Sequence, residues 1–279
     1  GHLATERPLN MKLLKKIKKS AFFLNYKILR KLRILFNIDQ ILNINDKKLI
    51  LPPDHLLSMY NKIYPNYDKF LENFVKEKHN LNIIDIGANI GDTLLRILSD
   101  NNNYYCIEPN NYFLKYLKIN VSNNKDKHKN TNIQIIDELV GKELQGFLDN
   151  KNGTATLKEE SKISKKIYSK KLDEIISLNK IGKVDIIKSD TDGYDVNVLK
   201  SGFETIKKDK PILFFEYLNI QSTQLEKYIN FISELKFIGY NNFIILDNYG
   251  KIVLQNNSLE KIKETMKGRR IVDIYCSSD

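Results

Sequence analysis

The 279-residue chain is 42% hydrophobic and 28% charged, a balance that suits a globular protein with one sizeable α/β domain and an appendage. Its formal charge of +11 is concentrated, with nine Lys or Arg and no acid between Lys12 and Arg33. That asymmetry excludes the uniformly basic body of a nucleic-acid binder and leaves a basic arm on a near-neutral domain. Cys106 and Cys276, each in an apolar run without a second Cys or a His nearby, argue against a zinc or disulfide framework and suit a reducing cytoplasm.

Residues 1–10 precede Met11 and read as a cloning remnant. From Met11 to about Phe36, Leu13, Leu14, Ile17, Ala21, Leu24, Ile28 and Leu32 recur at helical spacing amid lysines. Such a helix docks on its own domain with lysines outward, lies on a membrane surface, or grips an anionic partner. No apolar run approaches bilayer-spanning length, so any membrane contact would be peripheral, at the inner face. A loop with Pro52 and Pro53 leads to a second helical segment, His55 to Lys78. The stretch 11–80 is therefore read as a basic arm and lid region, and 81–279 as the main domain.

In that domain, strands predicted at Ile83–Ile86, Tyr104–Ile107, Ile133–Ile136, Val184–Lys188 and Ile212–Glu216 alternate with helices, among them Gly91–Ser99 and Asn110–Val121. The pattern predicts a doubly wound, mostly parallel α/β sheet. Leu144–Leu148 and Thr154–Leu157 flank Asn152-Gly153, a hairpin-turn signal. Phe243–Leu246 and Ile271–Cys276 supply the last strands, and Asn123–Asn130 reads as a solvated loop.

Two motifs carry chemistry. Asp85-Ile86-Gly87-Ala88-Asn89-Ile90-Gly91-Asp92-Thr93 follows a strand and opens a helix, the context in which a Gly-rich turn meets a ligand. Its Gly-x-x-x-Gly spacing lacks the middle glycine of a dinucleotide fingerprint, and the leading acid suits an amino group and a sulfonium better than phosphates. Glu108, seventeen positions after Gly91 and followed by Pro109, ends the second strand, where an acid accepts from both ribose hydroxyls of a nucleoside.

These two motifs, with Lys171-Leu172-Asp173-Glu174, Val184–Leu199 and Pro211–Glu216, resemble the FkbM family of methyltransferases from about Ile83 to Tyr217. The resemblance implies a class I methyltransferase Rossmann-like fold with an antiparallel last strand. It also implies S-adenosylmethionine as donor and O-methylation of sugars, bacterial surface polysaccharide or natural products. Where the family commonly reads Lys-Ile-Asp-Val-Glu-Gly-Tyr-Glu, this chain has Lys188-Ser189-Asp190-Thr191-Asp192-Gly193-Tyr194-Asp195. Acid placement is kept with a shorter reach, and Ser189 replaces an apolar residue.

Methyl transfer is an in-line displacement at a sulfonium, so orientation of the acceptor supplies much of the rate and a nearby base helps a hydroxyl react. Asp190, at the end of the fourth strand, is read as that base or as an orienter of the donor. Lys188 and Asp192 stand beside it, and His55 is a further catalytic candidate. Tyr64, Tyr194 and Glu216 are candidates for the acceptor. The donor would be held by Asp85, Gly87, Ala88, Asn89, Gly91, Asp92, Thr93, Glu108, Pro109 and Asp190. No metal and no nucleic-acid partner is expected. Two other readings stay open: a non-catalytic membrane- or anion-binding protein that keeps the fold, and a nicotinamide-dependent oxidoreductase.

Overall fold

The computed structural model describes residues 9–151, 153–158 and 166–278. Residues 1–8 of the presumed remnant and Asn152 of the predicted hairpin turn lie outside the described residues. Helix α1 (Leu9–Phe36) opens the chain. No strand is predicted ahead of Ile83, yet β1 (Gln40–Ile44) and β2 (Lys47–Leu51) pair antiparallel around Asn45, which takes the left-handed conformation that Asn tolerates. Alternation drives the pairing: Ile44, Leu49 and Leu51 turn inward while Ile41, Asn43 and Lys48 stay exposed. The second helical segment breaks into α2 (Leu57–Ile63) and α3 (Lys69–Val75). Pro65 has no N–H and pushes Tyr64 out of the helical region, to φ −123 and ψ 68.

The domain continues through β3 (Asn82–Ile86), α4 (Asp92–Ile97), β4 (Asn103–Ile107), α5 (Asn111–Asn124) and β5 (Asn132–Ile136). An insertion of β6 (Leu139–Val140), β7 (Gln145–Lys151), β8 (Thr154–Lys158) and β9 (Ile167–Lys170) precedes α6 (Leu172–Leu178). Then come β10 (Ile186–Ser189), α7 (Asp195–Lys200), α8 (Phe203–Asp209), β11 (Ile212–Leu218), α9 (Gln224–Phe237), β12 (Asn242–Leu246), β13 (Ile252–Gln255), α10 (Leu259–Met266) and β14 (Ile271–Ser277). Among the described residues, eight strands form one sheet in the order β13-β12-β14-β11-β10-β3-β4-β5. The run from β11 to β5 is parallel, and β14 is antiparallel to both neighbours, as the sequence led us to expect.

Both faces of the sheet are covered, which is why its strands read as unbroken apolar runs. Ile84 and Ile86 pack with Val198, Phe215 and Phe231 on one side. Ile83 packs with Leu94, Cys106, Leu117 and Phe214 on the other. Each such buried side chain stabilises the fold by about 1.5–3 kcal/mol. The two free cysteines are fully buried in these layers and serve as packing. Chain order reverses between β3 and β10, so a crevice opens beyond their carboxyl ends, where open α/β sheets bind ligands.

Candidate active site

On the β3 side of the crevice, the turn into α4 is fixed by backbone geometry. Gly87 has φ +76, and a Cβ there would lie 2.1 Å from the Asp190 carbonyl oxygen, so only glycine lets this turn sit against the end of β10. The Gly87 and Ala88 N–H groups donate to the Ile107 carbonyl at 3.0 and 3.1 Å. Asn89, itself left-handed, donates its N–H to Glu108 Oε2 at 2.8 Å, and the Asn110 N–H donates to Glu108 Oε1 at 2.8 Å. Burial pushes the Glu108 carboxyl up to about 7, against those two N–H donors, which favour its ionised form. Each carboxylate oxygen keeps lone-pair capacity for a further donor. Behind the turn, Asn120 clamps three segments together, donating to the Ile50 and Ile90 carbonyls, both at 2.9 Å, and accepting from the Ile50 N–H at 2.7 Å.

The cavity beside this turn encloses about 90 Å³ and is roofed by the β7–β8 hairpin through Leu148, Ala155 and Leu157. Asn110 Nδ2 donates to Asn150 Oδ1, and Asn89 Nδ2 donates to the Gly153 carbonyl at 2.8 Å, so Asn89 of the β3–α4 turn and Asn110 at the head of α5 latch the hairpin. His55 lies beneath the same hairpin: a Cβ on Gly153 would come within 2.8 Å of its ring. Its Nδ1 accepts the Leu57 N–H at 3.1 Å, which puts the ring proton on Nε2, 3.4 Å from Asn89 Oδ1. Burial lowers its pKa, opposed by Asp92, so the ring is neutral near pH 7.

Across β10 the site is electrostatic. Lys188 Nζ lies 3.1 Å from Asp85 Oδ1, its register partner on β3, and 3.7 Å from Asp190 Oδ2. Burial works against the ammonium, but Asp85, Asp190, Asp68 and Asp92 overrule it and hold its pKa well above the usual range. Asp68, which accepts from Thr93 Oγ1 at 3.0 Å, is pushed up to about 6 by burial. Burial, then the Asp190 carboxylate, brings Asp192 to about 6. Glu216 and Asp273 face each other across β11 and β14, and burial with the surrounding carboxylates raises both well above the carboxylate range. The Tyr67 phenol is also raised, with Asp190 as the largest cause.

Of the candidates read from the sequence, Gly87, Asn89, Glu108, Pro109, Asp190, Asp192 and Tyr194 line the cavity. Asp85, Ala88 and Lys188 are buried beneath it, and Gly91, Asp92 and Thr93 open α4 behind it. Glu216 stands on the far side of β10 with Asp273, and His55 meets the cavity through Asn89 and through the edge of the Phe113 ring, 6.0 Å away between centroids. Tyr64 is turned elsewhere, its ring against Tyr249 at 5.0 Å between centroids. Its neighbour Tyr67 takes the place near Asp190. Sequence reading gives Tyr67 no role of its own beside Tyr64 and passes over Asp68 and Asp273, although an acid inside the apolar run Ile271–Cys276 is a signal in itself. His128, read as solvated, is half-buried against Asp100 Oδ1 at 3.1 Å.

Residues 85–241 match the family model described as the methyltransferase FkbM domain. No curated protein sequence matches the chain. Among solved structures, the chain is similar to the methyltransferase FkbM of Methylobacillus flagellatus KT, with 17% identity over 79% of this chain and 51% of that one and a TM-score of 0.47. It thus spans about half the length of that protein. It is also similar to a SAM-dependent methyltransferase of Agrobacterium tumefaciens (10% identity, 86% and 70% covered, TM-score 0.48). A third is the Pyrococcus abyssi tRNA (uracil-54, C5)-methyltransferase in complex with S-adenosyl-L-homocysteine (9% identity, 86% and 44% covered, TM-score 0.43).

Proposed function

Because the chain belongs to the FkbM methyltransferase family and is thereby an S-adenosylmethionine-dependent methyltransferase, we propose that it methylates a hydroxyl of a sugar or a nucleotide-linked sugar precursor, in bacterial surface polysaccharide such as capsule. The chemistry of the donor end fits that cofactor. Glu108 is a buried carboxylate with acceptor capacity for a ribose diol, and Phe113, Leu148 and Leu157 offer an apolar wall for a base. Asp85, Gly87, Ala88, Asn89, Gly91, Asp92, Thr93 and Pro109 complete the donor end in this reading. Bound there, the donor supplies an electrophilic methyl group on a sulfonium.

One observation carries the rest: Asp190 lines the donor cavity and also belongs to the charged cluster around Lys188. A carboxylate at that boundary is placed to hold an acceptor hydroxyl against the donor and to take its proton. Lys188 holds Asp190 in position, and Asp192, Tyr194 and Glu216 offer polar partners to the remaining hydroxyls of an acceptor. His55, neutral and packed under the hairpin, positions Asn89 in this scheme. The domain from 81 to 279 performs the chemistry, with 11–80 as arm and cover. We place the enzyme in the cytoplasm, at the inner membrane face.

Calorimetric titration with S-adenosylmethionine tests the donor half, and saturable binding at or below about millimolar donor is expected. Mass spectrometry of surface glycans made with and without this protein tests the acceptor half, with a shift of one methylene as the expected result. Donor binding without a methylated glycan would confine the error to the acceptor.

A further inference from the structure

Helix α1 meets the domain through one face. Tyr26 Oη donates to the His55 carbonyl at 3.3 Å and lies 3.4 Å from Ser58 Oγ; Arg30 Nε donates to the Asp54 carbonyl at 3.0 Å; and Lys62 sits over the Phe22 ring at 5.3 Å. Residues 22, 26 and 30 fall on one side of a helix. The aliphatic stripe read from the sequence falls on the opposite side, and its described members face water: Leu24 is 60% exposed, Ile28 50% and Leu32 44%. Leu35, 73% exposed, continues the stripe by a further turn. An amphipathic helix ordinarily turns such a stripe to its own core, and this one does not.

We propose that this stripe seats in the interfacial layer of an anionic lipid bilayer, with Lys27 and Lys31 along its edge against the headgroups. The occupant follows from charge: nine cations and no acid lie between Lys12 and Arg33, of which Arg30 and Arg33 are held on the docked face, and polybasic segments gain affinity from each cation near an anionic surface. A second copy of the chain fits poorly, because stripe-to-stripe pairing would bring two such cationic helices together. A nucleic acid would meet the cations and leave the aliphatics in water. No helix among the described residues is long and apolar enough to cross a membrane, so α1 lies in the plane of the surface. None of Leu24, Ile28, Leu32 and Leu35 lines the cavity, so lipid binding and methyl transfer separate experimentally.

Co-sedimentation of the full chain with vesicles tests the assignment. With phosphatidylcholine mixed with an equal part of phosphatidylglycerol the chain sediments; with phosphatidylcholine alone it stays in solution; and added salt releases it as the screening length shortens. The combined substitutions Leu24→Ser, Ile28→Ser and Leu32→Ser alter only exposed side chains and lower the partition about a hundredfold. Donor affinity and circular dichroism equal to those of the parent chain verify that this variant is folded. Absence of binding to either vesicle, equal binding to both, or binding unmoved by the serine substitutions overturns the proposal. So does a solution dimer that the same substitutions dissolve.

Discussion

At the β3–α4 turn the polar groups are settled among close neighbours, Gly87 and Ala88 on Ile107, Asn89 and Asn110 on Glu108. Around Lys188 the charged groups arrive from separate elements: Asp68 ahead of α3, Asp85 from β3, Asp190 after β10, and beyond them Glu216 from β11 and Asp273 from β14. The proposed donor end is therefore a feature of backbone geometry, sensitive to the loss of a glycine. The acid rim is a feature of convergence, and its behaviour depends on which carboxyl holds a proton, since like charges this close cannot all ionise.

Substitutions that separate the two ends should differ in what they damage. The largest effect is expected from Asp190→Ala, with turnover falling on the order of 10²–10⁴-fold while donor affinity changes only a few-fold. Steady-state kinetics set against calorimetric donor affinity checks it; an equal loss in both would move Asp190 to the donor end. Gly87→Ala should destabilise the fold by about 2–4 kcal/mol in urea unfolding, through a left-handed non-glycine residue and a clash with backbone. Gly91→Ala meets only the tip of the Leu117 side chain at 2.8 Å and should cost less. Similar losses for both would mean that the turn is not braced by β10.

Glu108→Gln keeps the shape and removes the charge, so donor affinity should fall about 10–100-fold, the worth of one or two hydrogen bonds to a charged group. The same carboxyl gives a pH signature. Asp68 and Asp192 rise from 3.8 to about 6, Asp195 from 3.8 to about 7 and Glu108 from 4.5 to about 7. Between those pairs of values the fold holds protons that the unfolded chain has released. Each group therefore favours folding fully below its unfolded pKa, and that contribution is lost as pH rises through the folded one. Unfolding free energy should decline from about pH 4 to about pH 7, while donor affinity should rise over the upper part of that window as Glu108 ionises. Parallel trends in the two measurements would remove Glu108 from the donor site.

The contrast between the ends also marks what could be read from the sequence. The glycine turn, the strand–helix alternation and the position of Glu108 were legible because each is decided within a few residues. Tyr67 and Asp68 reach the site through the broken helix ahead of the sheet, which nothing local announces; Asp273 is announced by its apolar run, but its partners across the sheet are not. Helix α1 shows the same limit: periodicity revealed the stripe, but not that Tyr26 and Arg30 would dock instead of Leu24 and Ile28. At the β10 turn, Ser189 and Asp195 look like two unrelated departures from the family's wording. In the fold they are partners, Ser189 Oγ donating to Asp195 Oδ1 at 2.6 Å and the Thr191 N–H adding a second bond at 3.2 Å. The short acid spans the turn because the hydroxyl meets it.

The β7–β8 hairpin is latched to Asn89 and Asn110 and packs on His55, all at the proposed donor end, so disturbing the latch should affect that end before the acid rim. A cavity of about 90 Å³ is small beside the roughly 300–1,000 Å³ of small-molecule sites, and the expected way for a nucleoside to enter is a lifting of the hairpin. Asn150→Ala removes one neutral hydrogen bond from the latch, about 0.5–1.5 kcal/mol, while the Asn89 bond to Gly153 remains. Donor release, followed by stopped-flow displacement, should then quicken by about 2–10-fold with the chemical step unchanged. That rate is the most sensitive measure of whether the roof moves: if release is unaltered, the hairpin is a fixed wall and entry must run through the rim, joining the two ends that the other substitutions separate.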